Sequence, residues 1–250
     1  MDAVPALEHG FVPRTRVNGV HLTLGVRGYH GNDPWWFRQP SFVRLPPLAM
    51  IRTMWQGTFM TDVKQELRKT LRTVRREHVA TLDERTRALL FLRPPRPLLE
   101  AIGPQSIIGL YNAMPHEAPA SGYARFFAEQ GHPLALPRFA HRGASMEFAR
   151  FTDAFDESDL ETGPFGLLQP SEEAQTLEPD VLFVPLLGFT ADGHRIGQGG
   201  GHYDRYLAPR RHVVAIALAW DAQLVDDLPV EEHDMRLQYV VTPTRLYGPF

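Results

Sequence analysis

The sequence predicts an α/β protein built in three layers, a largely parallel β-sheet with helices on both faces. Three observations carry this. Short runs that are apolar throughout, SIIGLY at 106–111, VLFV at 181–184 and HVVAIALA at 212–219, read as strands buried from either side. Segments with apolar residues at helical spacing stand between them, and that alternation belongs to parallel sheets joined by crossover helices. At 181–206, VLFVPLLGFTADGHRIGQGGGHYDRY, a buried strand runs into a glycine-rich loop and then a helix.

The elements follow in order. Residues 1–59 hold six prolines, show neither helical nor strand period, and carry net charge +3 against −6 for the rest; Trp35-Trp36-Phe37 sits between Pro34 and Pro40, where no element can extend. They read as a disordered extension, or as sequence upstream of a true start at Met60, leaving 60–250 as a single domain. From Thr61 an amphipathic helix begins, with Asp62 and Gln65 as a capping box and Val63, Leu67, Leu71 and Val74 on one face. Thr81 and Glu84 form a second box, for a helix from Asp83 to about Leu92 that Pro94, Pro95 and Pro97 stop. A short helical piece at 98–102 precedes the strand 106–111. Ser121 to Gln130 reads as a helix, Pro133 to Phe139 as a strand ending at Pro137, and Ser145 to Phe151 as a strand; 152–180 reads as an acidic loop. Strands at 212–219 and 237–242 close the chain.

Composition bounds the function. With 250 residues, 43% hydrophobic and 22% charged, the chain has an ordinary globular make-up, and no apolar window reaches the length of a membrane span. A net charge of −3 argues against a nucleic-acid partner. The absence of cysteine removes disulfides and thiolate chemistry and suits a cytoplasmic location. Only two lysines occur, Lys64 and Lys69, all other basic side chains except histidine being arginine.

The stretch 181–206 carries the chemistry. Gly197, Gly199, Gly200 and Gly201 lack a Cβ, so successive amides can line a concavity facing a phosphate. Arg195 and Arg205 flank the loop as charge partners, and Asp204 offers the hard oxygen that Mg²⁺ prefers. The loop is not a P-loop, which needs Gly-Lys-Ser/Thr, nor a dinucleotide fingerprint, since His202 stands where the third glycine belongs. His194, His202 and His233 have no zinc-binding spacing.

VPLLGFTADGHRIGQGGGHYDR resembles the 5-formyltetrahydrofolate cyclo-ligases, also called methenyltetrahydrofolate synthetases, whose usual spelling is close to V-P-G-L-A-F-x-x-x-G-x-R-L-G-Y-G-G-G-Y-Y-D-R. It departs at Leu186, Gly188, Gln198 and His202. The resemblance covers 60–250 and implies the fold of ribose-5-phosphate isomerase and coenzyme A transferases. It implies ATP-dependent conversion of 5-formyltetrahydrofolate to 5,10-methenyltetrahydrofolate by a Mg²⁺-using monomer whose partners are small molecules. The family's opening K-x-x-x-R helix matches Lys64-Gln65-Glu66-Leu67-Arg68, placing these residues on ATP together with Arg195, Ile196, Gly197, Gln198, Gly199, Gly200, Gly201, His202 and Tyr203. Asn112 and Glu117 match folate-contacting positions, shared with Gln198, the glycines and His202. Asp204 and Asp234 match the Mg²⁺ ligands, and Lys64, Arg195 and Tyr203 stand as catalytic residues. Gln169 replaces a usual glutamate in PFGLLQP. Two other classes stay open: a folate- or nucleotide-binding paralogue without turnover, and a sugar-phosphate isomerase on the same fold, which needs neither ATP nor Mg²⁺.

A chain beginning at Met60 is expected to fold and keep its activity. Circular dichroism on heating checks this, and loss of a cooperative transition refutes it.

Overall fold

The computed structural model describes residues 14–17, 20–23 and 58–250. Strands β1 (Arg14–Val17) and β2 (Val20–Thr23) pair as an antiparallel hairpin inside the segment whose sequence shows no period. The Trp35-Trp36-Phe37 cluster and the rest of the stretch read as dispensable lie outside the described residues.

Helix α1 runs Thr58–Thr81, starting three residues before the expected site, so Asp62 lies inside it and does not cap it. The second cap also differs. Asp83, not Thr81, accepts the Thr86 amide at 2.8 Å and opens α2 (Glu84–Leu89), while the Thr81 hydroxyl donates to the His78 carbonyl. The proline cluster then allows only the short α3 (Arg96–Glu100). Helix α4 spans Ser121–Glu129 and α5 spans His202–Leu207.

The sheet has seven strands. Its inner five, β12 (Tyr239–Val241), β11 (Val214–Leu218), β8 (Val181–Val184), β3 (Ile108–Gly109) and β4 (Leu134–Arg138), are parallel. The edges, β13 (Leu246–Tyr247) and β5 (Glu147–Phe151), are antiparallel. Strand β3 is shorter than its apolar run. At Gly109 the chain passes so close to Pro179 and Leu182 that a Cβ would fall 2.7 Å from the Pro179 ring. Pro137 lies within β4 instead of ending it; pairing with β3 stops at Ala135, so a missing N–H falls where one side of the strand is open.

Alternation along the strands divides the core. Val181, Phe183, Ile108, Leu134, Ile216 and Leu218 face Val79 of α1, Leu98 of α3, and Tyr123 and Phe127 of α4. Leu182, Val184, Ala215, Ala217 and Val240 face Tyr206 and Leu207 of α5, with Leu224 and Leu237. Every side chain of β8 is buried, as its uninterrupted apolar run requires.

Two small hairpins complete the fold. The region expected to be a plain acidic loop contains β6 (Leu160–Thr162) paired with β7 (Leu168–Pro170), each too short to show a period. Strands β9 (Gly188–Phe189) and β10 (Arg195–Ile196) flank the Asp192-Gly193 turn. A third cluster, Leu71, Leu187, Ile196, Val225 and Leu228 with Leu67 and Val74, seats α1 on this hairpin. Gly188 belongs to the same seat, since a Cβ there would meet Leu71 at 2.9 Å.

Leu71→Ala removes the centre of that seat and is expected to lower unfolding free energy by about 2–5 kcal/mol. Urea denaturation measures it, and a loss below about 1 kcal/mol would mean that α1 is held elsewhere.

Candidate active site

Ligands of open parallel sheets gather beyond the carboxyl ends of the strands. Here those ends, with α1, the 197–201 loop, the β6–β7 hairpin and residues 229–234, enclose a cavity of about 700 Å³. Tyr111, Asn112, Met114 and Glu117 follow β3, Pro137 lies near the end of β4 with Phe139 just beyond it, and Pro185 follows β8.

The glycine loop presents its two polar faces to different partners. Its carbonyls are turned to arginines: Arg68 Nε donates to Gly197 O at 3.1 Å, Arg72 Nη2 to Gln198 O at 3.2 Å and Arg205 Nη2 to Gly200 O at 2.7 Å. Among the described residues, none of the N–H groups of 197–201 donates to a protein acceptor. Gly199 (φ 105°) and Gly201 (φ 62°) hold left-handed conformations that favour glycine. At Gly199 a Cβ would also come within 3.3 Å of the Arg68 guanidinium carbon. Unpaired amides bordered by guanidinium groups are the kind of arrangement that can receive an anion.

Lys64 and Arg68 line the cavity together. Gln65, Glu66 and Leu67 do not: Gln65 is exposed, Glu66 pairs with Lys69 at 2.5 Å, and Leu67 joins the apolar seat of α1. Lys64 is also no solvated residue. Its buried ammonium donates to Glu231 Oε2 at 2.5 Å and Asp234 Oδ2 at 2.7 Å. Burial works against the Asp234 carboxylate, but the hydrogen bonds from Lys64 and from the Glu231 amide outweigh it and hold the carboxyl below its usual range.

Arg195 and Asp204, expected on ATP and on metal respectively, bind each other: Arg195 Nη2 donates to Asp204 Oδ1 at 2.7 Å and Nη1 to the Met235 carbonyl. The Met235 amide donates to the same Oδ1 at 3.2 Å, so Oδ2 keeps no protein hydrogen bond. Glu231, His233 and Asp234 offer ligand atoms within 4.8 Å of one another, a group from which Asp204 is absent.

The opposite wall centres on Glu117. The 112–118 loop is pinned by Tyr111 Oη donating to Ala118 O at 2.5 Å and by Trp220 Nε1 donating to His116 O at 3.0 Å. His116 adopts φ 69°, which such pinning sustains. Glu117 Oε1 accepts from Arg75 Nη1 and from Gln198 Nε2, both at 3.2 Å, and Oε2 accepts the Met114 amide at 3.0 Å. Gln198 Oε1 accepts Arg72 Nε at 3.0 Å. Asn112 also lines the cavity, its Nδ2 3.5 Å from Leu168 O. Burial, and then the Glu117 charge, push the Tyr203 phenol well up, so it stays protonated at neutral pH. The His202 ring lies 4.9 Å from Phe139 and 6.0 Å from Phe165, and burial with the neighbouring Arg205 lowers its pKa. Gln169 fastens the hairpin, exchanging two hydrogen bonds with the Phe139 backbone.

Arg72, Arg75, Glu231, Phe139 and Phe165 were missed from sequence. Arg72 and Arg75 left a usable signal, lying four and seven residues from Arg68 on the helix face that carries Lys64.

The chain is similar to known proteins over most of its described length. The 5-formyltetrahydrofolate cyclo-ligase family matches residues 60–243. The 5-formyltetrahydrofolate cyclo-ligase of Mus musculus is 30% identical over 145 residues, 54% of this chain and 71% of the mouse protein. That of Escherichia coli K12 is 37% identical over 103 residues, 39% of this chain and 57% of its own. The NMR structure of Aquifex aeolicus 5,10-methenyltetrahydrofolate synthetase superposes with a TM-score of 0.59 at 23% identity, covering 75% of this chain and 93% of that one. At that identity the likeness shows the fold.

Lys64→Met leaves Glu231 and Asp234 facing one another without the ammonium that bonds both. The expected loss is about 1–2 kcal/mol at neutral pH, less than for a fully buried pair because Glu231 and Asp234 stay 41% and 22% exposed. Because the folded Asp234 pKa is depressed, its share is present above the unfolded value, about pH 4, and is lost as pH falls through the folded one. Thermal unfolding across pH checks both; equal stability of variant and parent at pH 7 refutes the pairing.

Proposed function

The chain belongs to the 5-formyltetrahydrofolate cyclo-ligase family, and from that premise we propose that this cavity closes 5-formyltetrahydrofolate to 5,10-methenyltetrahydrofolate at the expense of ATP. The observation that carries the reading is the convergence of the unpaired 197–201 amides, the α1 cations and the fixed Glu117 on one cavity.

An oxygen on the formyl carbon is a poor leaving group, so it must be activated before ring closure. The formyl oxygen attacks the γ-phosphorus and ADP leaves. N10 then attacks the formyl carbon, the C–O bond breaks, phosphate departs with the oxygen, and the N10 proton is lost. The protein's part is placement and charge stabilisation. The 197–201 amides receive phosphate oxygens, with Arg68 and Arg72 held beside them by the loop carbonyls. Glu117 and Gln198 present fixed polar groups to the folate, Asn112 borders the same wall, and Phe139, Phe165 and His202 give a flat ring a face to lie on. Tyr203 serves as a neutral donor at the cavity wall.

The carboxylates test the metal. Asp234 and Glu231 supply hard oxygens of the kind Mg²⁺ takes, and Asp204 keeps Oδ2 unengaged. We assign Asp204 and Asp234 as the ligands, with Glu231 beside them; an ion there would offset charge on the phosphate oxygens. Lys64 reaches phosphate only by exchanging its bonds to these carboxylates. The reading brings with it the three-layer fold of ribose-5-phosphate isomerase and coenzyme A transferases, a monomeric state and a cytoplasmic location. Among the described residues no helix is long and apolar enough to cross a membrane.

One observation favours a binding protein without turnover: the Lys64 ammonium is engaged by two carboxylates. A spectroscopic assay separates the readings. Methenyltetrahydrofolate is expected to form with ATP and Mg²⁺, to fail without ATP, and to stop on chelation until Mg²⁺ is restored, with Asp234→Asn needing more metal. Binding of both ligands with no product would establish the second reading.

A further inference from the structure

We propose that Arg75 is a positioning residue: from behind the cavity wall it fixes the Glu117 carboxylate, and through it the Gln198 carboxamide, in the orientation that receives the folate. The inference rests on the folate reading given above. Arg75 is not among the cavity-lining residues. Its Nη1 donates to Glu117 Oε1 at 3.2 Å and to Leu186 O at 3.4 Å, and the two charged side chains are 7% and 3% exposed. Because Oε1 also accepts from Gln198, whose own Oε1 accepts from Arg72, one chain of hydrogen bonds runs from the interior to the glycine loop.

The quality of the pair decides between a structural and a functional role. Arg75 bonds through Nη1 alone, and its Nε is buried with no partner. A single-point contact lacks the two parallel bonds of a bidentate pair, and a buried donor without an acceptor is a net penalty. Buried pairs of this quality are often no better for stability than apolar side chains of similar volume. What the pair does accomplish is to hold a charge still. Oε1 is engaged by Arg75 and Gln198, Oε2 by the Met114 amide, and the carboxylate plane is thereby set. Without Arg75 an uncompensated, buried carboxylate would remain, and Gln198 would lose the fixed acceptor that orients its amide. Arg68, on the nucleotide side, has its own anchor at Gly197 O and needs nothing from Arg75.

The test is calorimetric binding of ATP and, separately, of 5-formyltetrahydrofolate to the full chain and to Arg75→Met, Arg75→Lys, Glu117→Gln and the Arg75→Met/Glu117→Gln double variant. Removing one charge-assisted hydrogen bond from the folate site corresponds to a weakening of about tenfold to a hundredfold. Arg75→Met is expected to show that loss for the folate with ATP affinity within about twofold of the parent. The double variant should be no worse than either single one, since both act through one carboxylate. Arg75→Lys should fall between Arg75→Met and the parent, and it supplies the comparison by itself if Arg75→Met does not fold. Unchanged folate affinity in Arg75→Met, or in Arg75→Lys in that event, overturns the proposal, as does a parallel loss for both ligands. If the parent itself binds no folate, the reading of the cavity fails and the positioning role falls with it.

Discussion

The docking of α1 on the β9–β10 hairpin is the constraint on which the site depends. Leu71 and its neighbours set the helix against the strand pair that leads into the glycine loop. Each fully buried aliphatic side chain there contributes about 1.5–3 kcal/mol, more than any exposed charge pair on the same helix can. Apolar packing therefore decides where Lys64, Arg68, Arg72 and Arg75 arrive. The electrostatics follows from that placement.

Those cations are already engaged. Arg68 and Arg72 bind loop carbonyls, Lys64 binds Glu231 and Asp234, Arg75 binds Glu117, and Arg195 binds Asp204. Such a network keeps side chains with high rotamer entropy in place before a ligand arrives, which reduces the ordering that binding must impose. A cation arriving at Asp234 would compete with Lys64 for the carboxylate oxygens, whereas an anion arriving at Lys64 would compete with those carboxylates for its ammonium. The loop amides, by contrast, have no protein acceptor among the described residues and are open to an anion at once.

Much of the fold was legible because its signals are local. The uninterrupted apolar run of β8 announces burial on both faces, and the spacing of Leu67, Leu71 and Val74 announces α1. Where the structure differs, competing contacts are the reason. Asp83 outranks Thr81 as a cap because it lies next to the first helical residue, and β6 and β7 are too short for any period to appear. Of the site, the glycine loop could be read outright, since the absence of Cβ is a property of the residue itself. The resemblance added roles for Lys64, Glu117 and Asp234, but said nothing of what each touches.

By itself, then, the sequence determined the strand, glycine loop and helix order, the α/β class and the chemistry available near residue 200. Tertiary structure alone decided which charges meet. Lys64 and Asp234 are 170 positions apart and bond at 2.7 Å; Arg75 and Glu117 are 42 apart and bond at 3.2 Å. Periodicity reports only which face of an element is buried. Which charge lies opposite which depends on how elements distant in sequence settle against one another, and that is fixed by the packing of Leu71 and its neighbours.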